Sequence, residues 1–236
     1  MNRIGDYALL GDCHSAALVG RDGSVDWACF PRFDSAAVFC KVLDAGNGGA
    51  FSVTPAGLQE TTRTYIDGTN VLVTTFETDT GTLEVTDCMP VRASEPARPG
   101  GVRARRGILR RLRCTGGRVV VAVRVAPRYE YGAFVPRLRV TNGLGEAVGG
   151  ADALWVDATR PLRVAEEAIG GDWLLEKGEE AWIEAVWTPS HDNAPDERGG
   201  EAMRRRLEDT VAFWRTWIAG CRYEGEHIDA VLRSAL

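Results

Sequence analysis

Apolar residues along most of this chain come in short runs with polar residues interleaved, and Gly, Asp or Pro stands between one run and the next. VLVTTF (71–76) and WIEAVW (182–187) show the mixed alternation of half-buried strands. The same reading gives strands at 16–19, 25–30, 50–55, 60–65, 71–78, 81–89, 107–114 and 119–127. It continues with 138–141, 153–158, 162–168, 173–176 and 181–188. The punctuation is specific: Asp22-Gly23, Asp67-Gly68, Thr80-Gly81, Asn142-Gly143, Gly170-Gly171 and Lys177-Gly178 are turn dipeptides. Many short strands joined by such turns argue for an antiparallel arrangement rather than a parallel sheet with crossover helices. The fold expected is therefore mainly β: a large antiparallel β-sandwich of two packed sheets over residues 1–190, with Trp155, Trp182 and Trp187 at least partly buried. A short helix is expected at 36–43, after the capping candidates Asp34 and Ser35, and a loop at 94–101.

The periodicity changes after Pro195. Met203, Leu207, Val211, Trp214 and Ile218 are spaced by four, four, three and four, which places them on one face of a helix ending near Gly220. A second helix begins near Glu224, with Ile228, Val231, Leu232, Ala235 and Leu236 sharing a face. It reaches the last residue with no stop signal, which reads as a truncation. The expected division is a sandwich over 1–190, a linker with an amphipathic helix over 191–222, and the start of a further helical unit over 223–236.

Composition narrows the function classes. The 236 residues are 44% hydrophobic and 26% charged, with a formal net charge of −5, which fits a folded globular chain and gives no general attraction to nucleic acid. A local exception is the cluster Arg103, Arg105, Arg106, Arg110, Arg111 and Arg113. It lacks the interleaved aromatics of a single-strand binder and reads as solvated strand and loop positions, with Gly116-Gly117 as a turn between two strands. The six cysteines show neither a C-x-x-C pair nor a zinc-ligand spacing, and read as small core residues kept reduced. Asp6 and Asp12 interrupt any signal-peptide pattern, and no run of apolar residues is long enough to span a membrane. A cytoplasmic chain with no cofactor, no metal, no nucleic-acid partner and no membrane is the expectation.

Three constellations could carry chemistry. Residues 27–34, WACFPRFD, offer Trp27 and Phe33 as apolar faces for a pyranose ring, with Arg32 and Asp34 as partners for its hydroxyls. The plainer alternative makes the aromatics core residues and Arg32–Asp34 a local ion pair. Asp6, Asp12, His14 and Asp26 could gather round a cation, or could be turn and capping residues. Arg128-Tyr129-Glu130-Tyr131-Gly132 could contact a sugar, or could lock a β-turn. His191 reads as part of the exit from the sandwich, and His227 as a polar position of the last helix.

Three stretches, in order, carry a family resemblance. IGDYALLGDCHSAALVGRDGSVDWACFPRFDS (4–35) resembles the entry motif of the trehalase-like bacterial branch of glycoside hydrolase family 15. ILRRLRCTGGRVVVAVRVAPRYEYG (108–132) resembles the middle of the same N-terminal domain, and FWRTWIAGCRYEGEHIDAVLRSAL (213–236) its linker helix and the first helix of an (α/α)6 barrel. The resemblance implies a β-sandwich joined to a barrel that hydrolyses α-glucosidic bonds with inversion. The two catalytic glutamates would lie in the barrel, so it implies no catalytic residue here. It also implies that Trp27, Arg32, Phe33 and Asp34 stand on the edge facing the barrel, as a substrate-binding rim. The partners expected are that barrel, an α-glucoside at the rim, and a second copy through apolar faces of the terminal helices. The alternative is an independent carbohydrate-binding or oligomerisation module.

Overall fold

A computed structural model describes residues 3–93 and 101–236. The loop expected at 94–101 lies, apart from Gly101, outside them. In chain order the strands are β1 (Ala8–Gly11), β2 (Ala16–Val19), β3 (Val25–Cys29), β4 (Ala37–Phe39), β5 (Ala50–Pro55) and β6 (Leu58–Tyr65). There follow β7 (Leu72–Thr78), β8 (Gly81–Cys88), β9 (Val91–Ala93), β10 (Val102–Ala104), β11 (Gly107–Ala126) and β12 (Arg137–Thr141). The last are β13 (Leu144–Gly149), β14 (Asp152–Ala158), β15 (Arg163–Ala165), β16 (Ala168–Glu176) and β17 (Glu180–Pro189), before helices α1 (Gly200–Ala219) and α2 (Ile228–Ser234).

Every ladder described is antiparallel, and 15 strands join in one hydrogen-bonded path that folds into two layers because β11 belongs to both. The first half of β11 lies between β8 and β17, in a layer that continues through β7 to β6 on one side and through β14 and β13 to β12 on the other. Its second half lies between β5 and β16, in a layer that runs on through β3 and β2 to β1. The expected turn at Gly116-Gly117 is instead a bend inside one 20-residue strand. Gly117 has φ +63°, and a Cβ there would overlap the carbonyl of Thr80, so the chain bulges and changes layer without reversing.

Alternation fixes the core. Phe51, Val53, Val121, Val123, Val125, Ile169 and Leu175 of one layer meet Phe76, Leu83, Val85, Ile108, Leu112, Leu154 and Ile183 of the other, all buried. Trp182 and Trp187 are buried and Trp155 is half-buried, as the strand pattern requires. Burial on this scale supplies the driving force, at about 1.5–3 kcal/mol for each large aliphatic or aromatic side chain. The second layer is covered on its outer side as well: Met203, Leu207 and Trp214 of α1 pack with Val71, Leu109 and Trp182. The apolar stripe of α1 is thus closed over its own chain, leaving Trp217 46% exposed. The second helix places no residue in the buried class.

Two further expectations are corrected. Residues 36–43 form no helix, because Ala37–Phe39 pairs with β3 and a β-branched Val38 beside Phe39 suits that edge; turns follow from Cys40. Gly170-Gly171 lies within β16, where a Cβ on Gly170 would strike the Val123 carbonyl of β11. The reversal falls instead at Glu166 and Glu167, both with positive φ (51° and 56°), between the paired Ala165 and Ala168.

Candidate functional site

The segment 27–34 starts on a hairpin. Gly23, at φ +78°, makes the turn possible, and Asp22 Oδ1 accepts the Ser24 N–H at 3.0 Å. β3 then carries Trp27 to the outer side of its layer, where it packs half-buried on Cys29, Ala37 and Cys40. Phe30 is buried in the main core, and a cis peptide joins it to Pro31. Past this point the chain projects: Arg32, Phe33 and Asp34 are all exposed, Phe33 by 64%. Arg32 Nε and Nη2 donate to the two carboxylate oxygens of Asp34 at 2.9 and 3.1 Å, a bidentate pair on the surface. The expected ion pair is therefore present, but of the aromatics only Phe30 is a core residue; Phe33 stands free at the apex.

The apex is pinned at its base. Phe33 N–H donates to the His14 carbonyl at 3.0 Å, Ser15 Oγ donates to the Cys29 carbonyl, and Ser35 Oγ accepts the Arg32 N–H at 3.1 Å. Asp12 is buried beneath it, with Oδ1 accepting the N–H groups of His14 (2.9 Å) and Ser15 (2.7 Å). Oδ2 of Asp12 is buried without a hydrogen-bond partner, and burial pushes this carboxyl above the usual carboxylate range.

The suggested cation cluster comes apart. Asp6 faces Arg21 at 3.4 Å, while Asp26 accepts from Tyr7 Oη at 2.9 Å and from Ser24 and pairs with Lys41 at 3.3 Å. Among the described residues no group of three or more His, Cys, Asp and Glu is placed to hold a metal. His191 and His227 are exposed, and His227 precedes α2 rather than lying on it. Cys29, Cys40, Cys88 and Cys114 are the buried small residues expected; Cys13 is exposed and Cys221 half-exposed.

The turn at 128–134 joins the site from a distant part of the sequence. Tyr129 is buried and donates to the Ala147 carbonyl at 2.7 Å, so it locks the turn. Glu130 and Tyr131 both have positive φ (52° and 57°), a costly conformation for non-glycine residues. That backbone sends the Tyr131 ring outward, 53% exposed, to a centroid distance of 6.2 Å from Trp27. Trp27 and Tyr131 thus form one aromatic surface. In the sequence these two aromatics lie in separate stretches about a hundred residues apart, and no local pattern links them.

The chain is also similar in sequence to known proteins. The chain matches the family described as Trehalase-like, N-terminal over residues 1–159. It is 28% identical to a trehalase of Thermoplasma volcanium, covering 99% of the chain and 37% of that enzyme. It is 30% identical to a trehalase of Mycobacterium tuberculosis and 29% to one of Mycolicibacterium smegmatis, in each case over 91% of the chain and 34% of the enzyme. The chain therefore spans little more than a third of the length of these relatives. By the match over 1–159 and a fold of the kind its sequence implies, the chain belongs to the trehalase-like N-terminal family.

Proposed function

We propose that this chain acts as the non-catalytic N-terminal part of an inverting α-glucoside hydrolase of trehalase or glucoamylase type, packs on a catalytic (α/α)6 barrel, and lends residues 27–34 to the rim of the substrate site. One observation carries this reading: the chain aligns over 99% of its length with only 37% of a trehalase. Inversion needs a general acid and a general base roughly 6.5–9.5 Å apart with room for water between them. Among the described residues the two carboxyl groups that burial raises, Asp12 and Glu184, are committed to internal partners. Asp12 holds backbone N–H groups, and Glu184 is gripped at 3.0 and 2.8 Å by Arg206. Neither stands at the exposed apex.

What the apex offers is recognition. Phe33 presents an open ring for the apolar face of a pyranose, and the aligned Arg32–Asp34 pair presents donors and acceptors for neighbouring hydroxyls. Four buried free cysteines support a reducing, cytoplasmic setting as part of this proposal; among the described residues no helix is long and apolar enough to cross a membrane.

The test is Arg32→Ala and Asp34→Ala in a full-length enzyme carrying this segment. Losing a charge-assisted contact costs roughly 1.5–3 kcal/mol, so kcat/KM should fall about ten- to a hundredfold with the melting temperature unchanged. Unchanged kinetics in a folded variant would assign the loop to structure alone. A second reading, a module that pairs through its terminal helices, draws on the exposed Trp217 of α1 and Tyr223 between the two helices (46% and 43%). Sedimentation at rising concentration separates the two, since the first reading needs no dimer.

A further inference from the structure

The turn at 128–134 carries more than a turn requires. Residues 130–133 form a four-residue loop closed by the Tyr129–Phe134 bridge, in which each N–H donates to the other's carbonyl at 3.1 Å. Three consecutive positions have positive φ: Glu130, Tyr131 and Gly132, at 52°, 57° and 91°. Gly, Asn and Asp ordinarily fill such positions, because they reach the left-handed region at least cost. Here only the third is glycine. The lock comes from Tyr129 and its bond to the Ala147 carbonyl, so making the turn does not call for a glutamate and a tyrosine at 130 and 131. A local rule broken without a structural gain marks a place where the side chains themselves serve a function.

Those side chains offer a coherent set of groups. The Tyr131 ring is 53% exposed and inclined at 41° to that of Trp27, so the pair is not stacked shut. Trp27 is backed by Cys29, Ala37 and Cys40, which leave it half-buried. Among the described residues neither the Tyr131 hydroxyl nor the exposed Glu130 carboxylate has a hydrogen-bond or ion-pair partner. A pyranose uses this combination: aromatic rings for its C–H face, with a carboxylate and a phenol for the hydroxyls at its edge. A protein partner could also cover the exposed Phe134 and Val135, but it would have to bring a cation for Glu130, whereas sugar hydroxyls satisfy that carboxylate directly.

We propose that Tyr131, Trp27 and Glu130 form a second contact for an α-glucoside, separate from the apex at 32–34. Tyr131 and Trp27 cover the apolar face of one glucosyl ring, and Glu130 accepts from its hydroxyls. This deepens the rim reading above and rests on it for the identity of the sugar.

The experiment titrates the 236-residue chain with trehalose, with maltotriose and with sorbitol, following backbone and indole N–H signals by NMR. The wild type is compared with Tyr131→Asn, Glu130→Gln and Arg32→Ala. Saturable shifts centred on 130–132 and on the Trp27 indole are expected with a sugar, and none with sorbitol, which has the hydroxyls without the ring. A response to trehalose identifies a disaccharide site, and a response to maltotriose alone a glucan chain. Tyr131→Asn should bind about tenfold more weakly, and Glu130→Gln more weakly than the wild type. Asparagine suits a positive φ, so Tyr131→Asn should stay folded and melt no lower than the wild type. Binding lost in Tyr131→Asn and kept in Arg32→Ala supports the platform whatever the apex does. Binding lost in Arg32→Ala alone would overturn the platform and leave the rim reading standing. No saturable shift with either sugar, an equal shift with sorbitol, or wild-type affinity in both Tyr131→Asn and Glu130→Gln would overturn the proposal. So would shifts at 131–135 that follow protein concentration instead of sugar, which would assign this surface to contact between copies.

Discussion

Arg110 and Asp87 meet across the β11–β8 ladder as a fully buried ion pair, with Nε and Nη2 of the arginine 2.8 and 3.0 Å from the two carboxylate oxygens. The same guanidinium reaches into the other layer, donating to the Phe51 carbonyl at 2.8 Å and the Gly23 carbonyl at 2.7 Å. One side chain therefore ties both sheets together and holds the hairpin turn that leads to the apex. Buried charges are tolerated only when paired and fully bonded, and removing one partner strands the other. Asp87→Asn should cost about 3–5 kcal/mol in urea unfolding, and the double replacement Asp87→Leu with Arg110→Met much less. A loss under about 1 kcal/mol for Asp87→Asn would remove the pair from its structural role.

The arginine cluster shows where sequence reading stops. Arg110 belongs to a run of arginines that reads as solvated, yet the strand period turns it inward, where Asp87 awaits it from 23 residues earlier. Turn dipeptides and alternation sufficed for most strands, because those signals are local. Gly116-Gly117 and Gly170-Gly171 read as turns because glycine permits both reversal and close backbone approach, and only the neighbouring strand decides which. Residues 36–43 carry a local helix signal that tertiary pairing overrides, since β3 supplies the hydrogen bonds a local helix would make. At the candidate site Arg32, Phe33 and Asp34 were legible as an exposed group. Tyr131 is legible as a candidate in its own turn, but its contact with Trp27 is not, because that contact spans two loops.

The bend in β11 gives a second prediction. Gly117→Ala puts a Cβ into the Thr80 carbonyl at a positive φ, so two penalties combine. The variant should lose more than about 1 kcal/mol, read as a lower urea midpoint with an unchanged slope. A neutral substitution would mean the two layers do not share this strand as described.

Asp12 predicts a pH dependence. Burial raises its folded-state pKa against the opposing hydrogen bonds from the His14 and Ser15 N–H groups. A raised acid holds more protons folded than unfolded. Its contribution to stability is thus complete below the ordinary carboxylate value, about 4, and is lost as pH rises through the higher folded value. Asp12→Asn removes this titration while Oδ1 keeps its acceptor role. The difference in unfolding free energy, variant minus wild type, should grow from pH 4 towards neutrality. A flat or falling difference would contradict the assignment.

The central proposal is that this chain recognises and supports but does not cleave. Glucose release from trehalose and from maltose by the purified 236-residue chain tests it most directly. No glucose above the uncatalysed background is expected, because Asp12 and Glu184 are internal and the apex carries only the paired Asp34. Sustained glucose release that disappears on replacing one of this chain's own Asp or Glu residues would contradict the account.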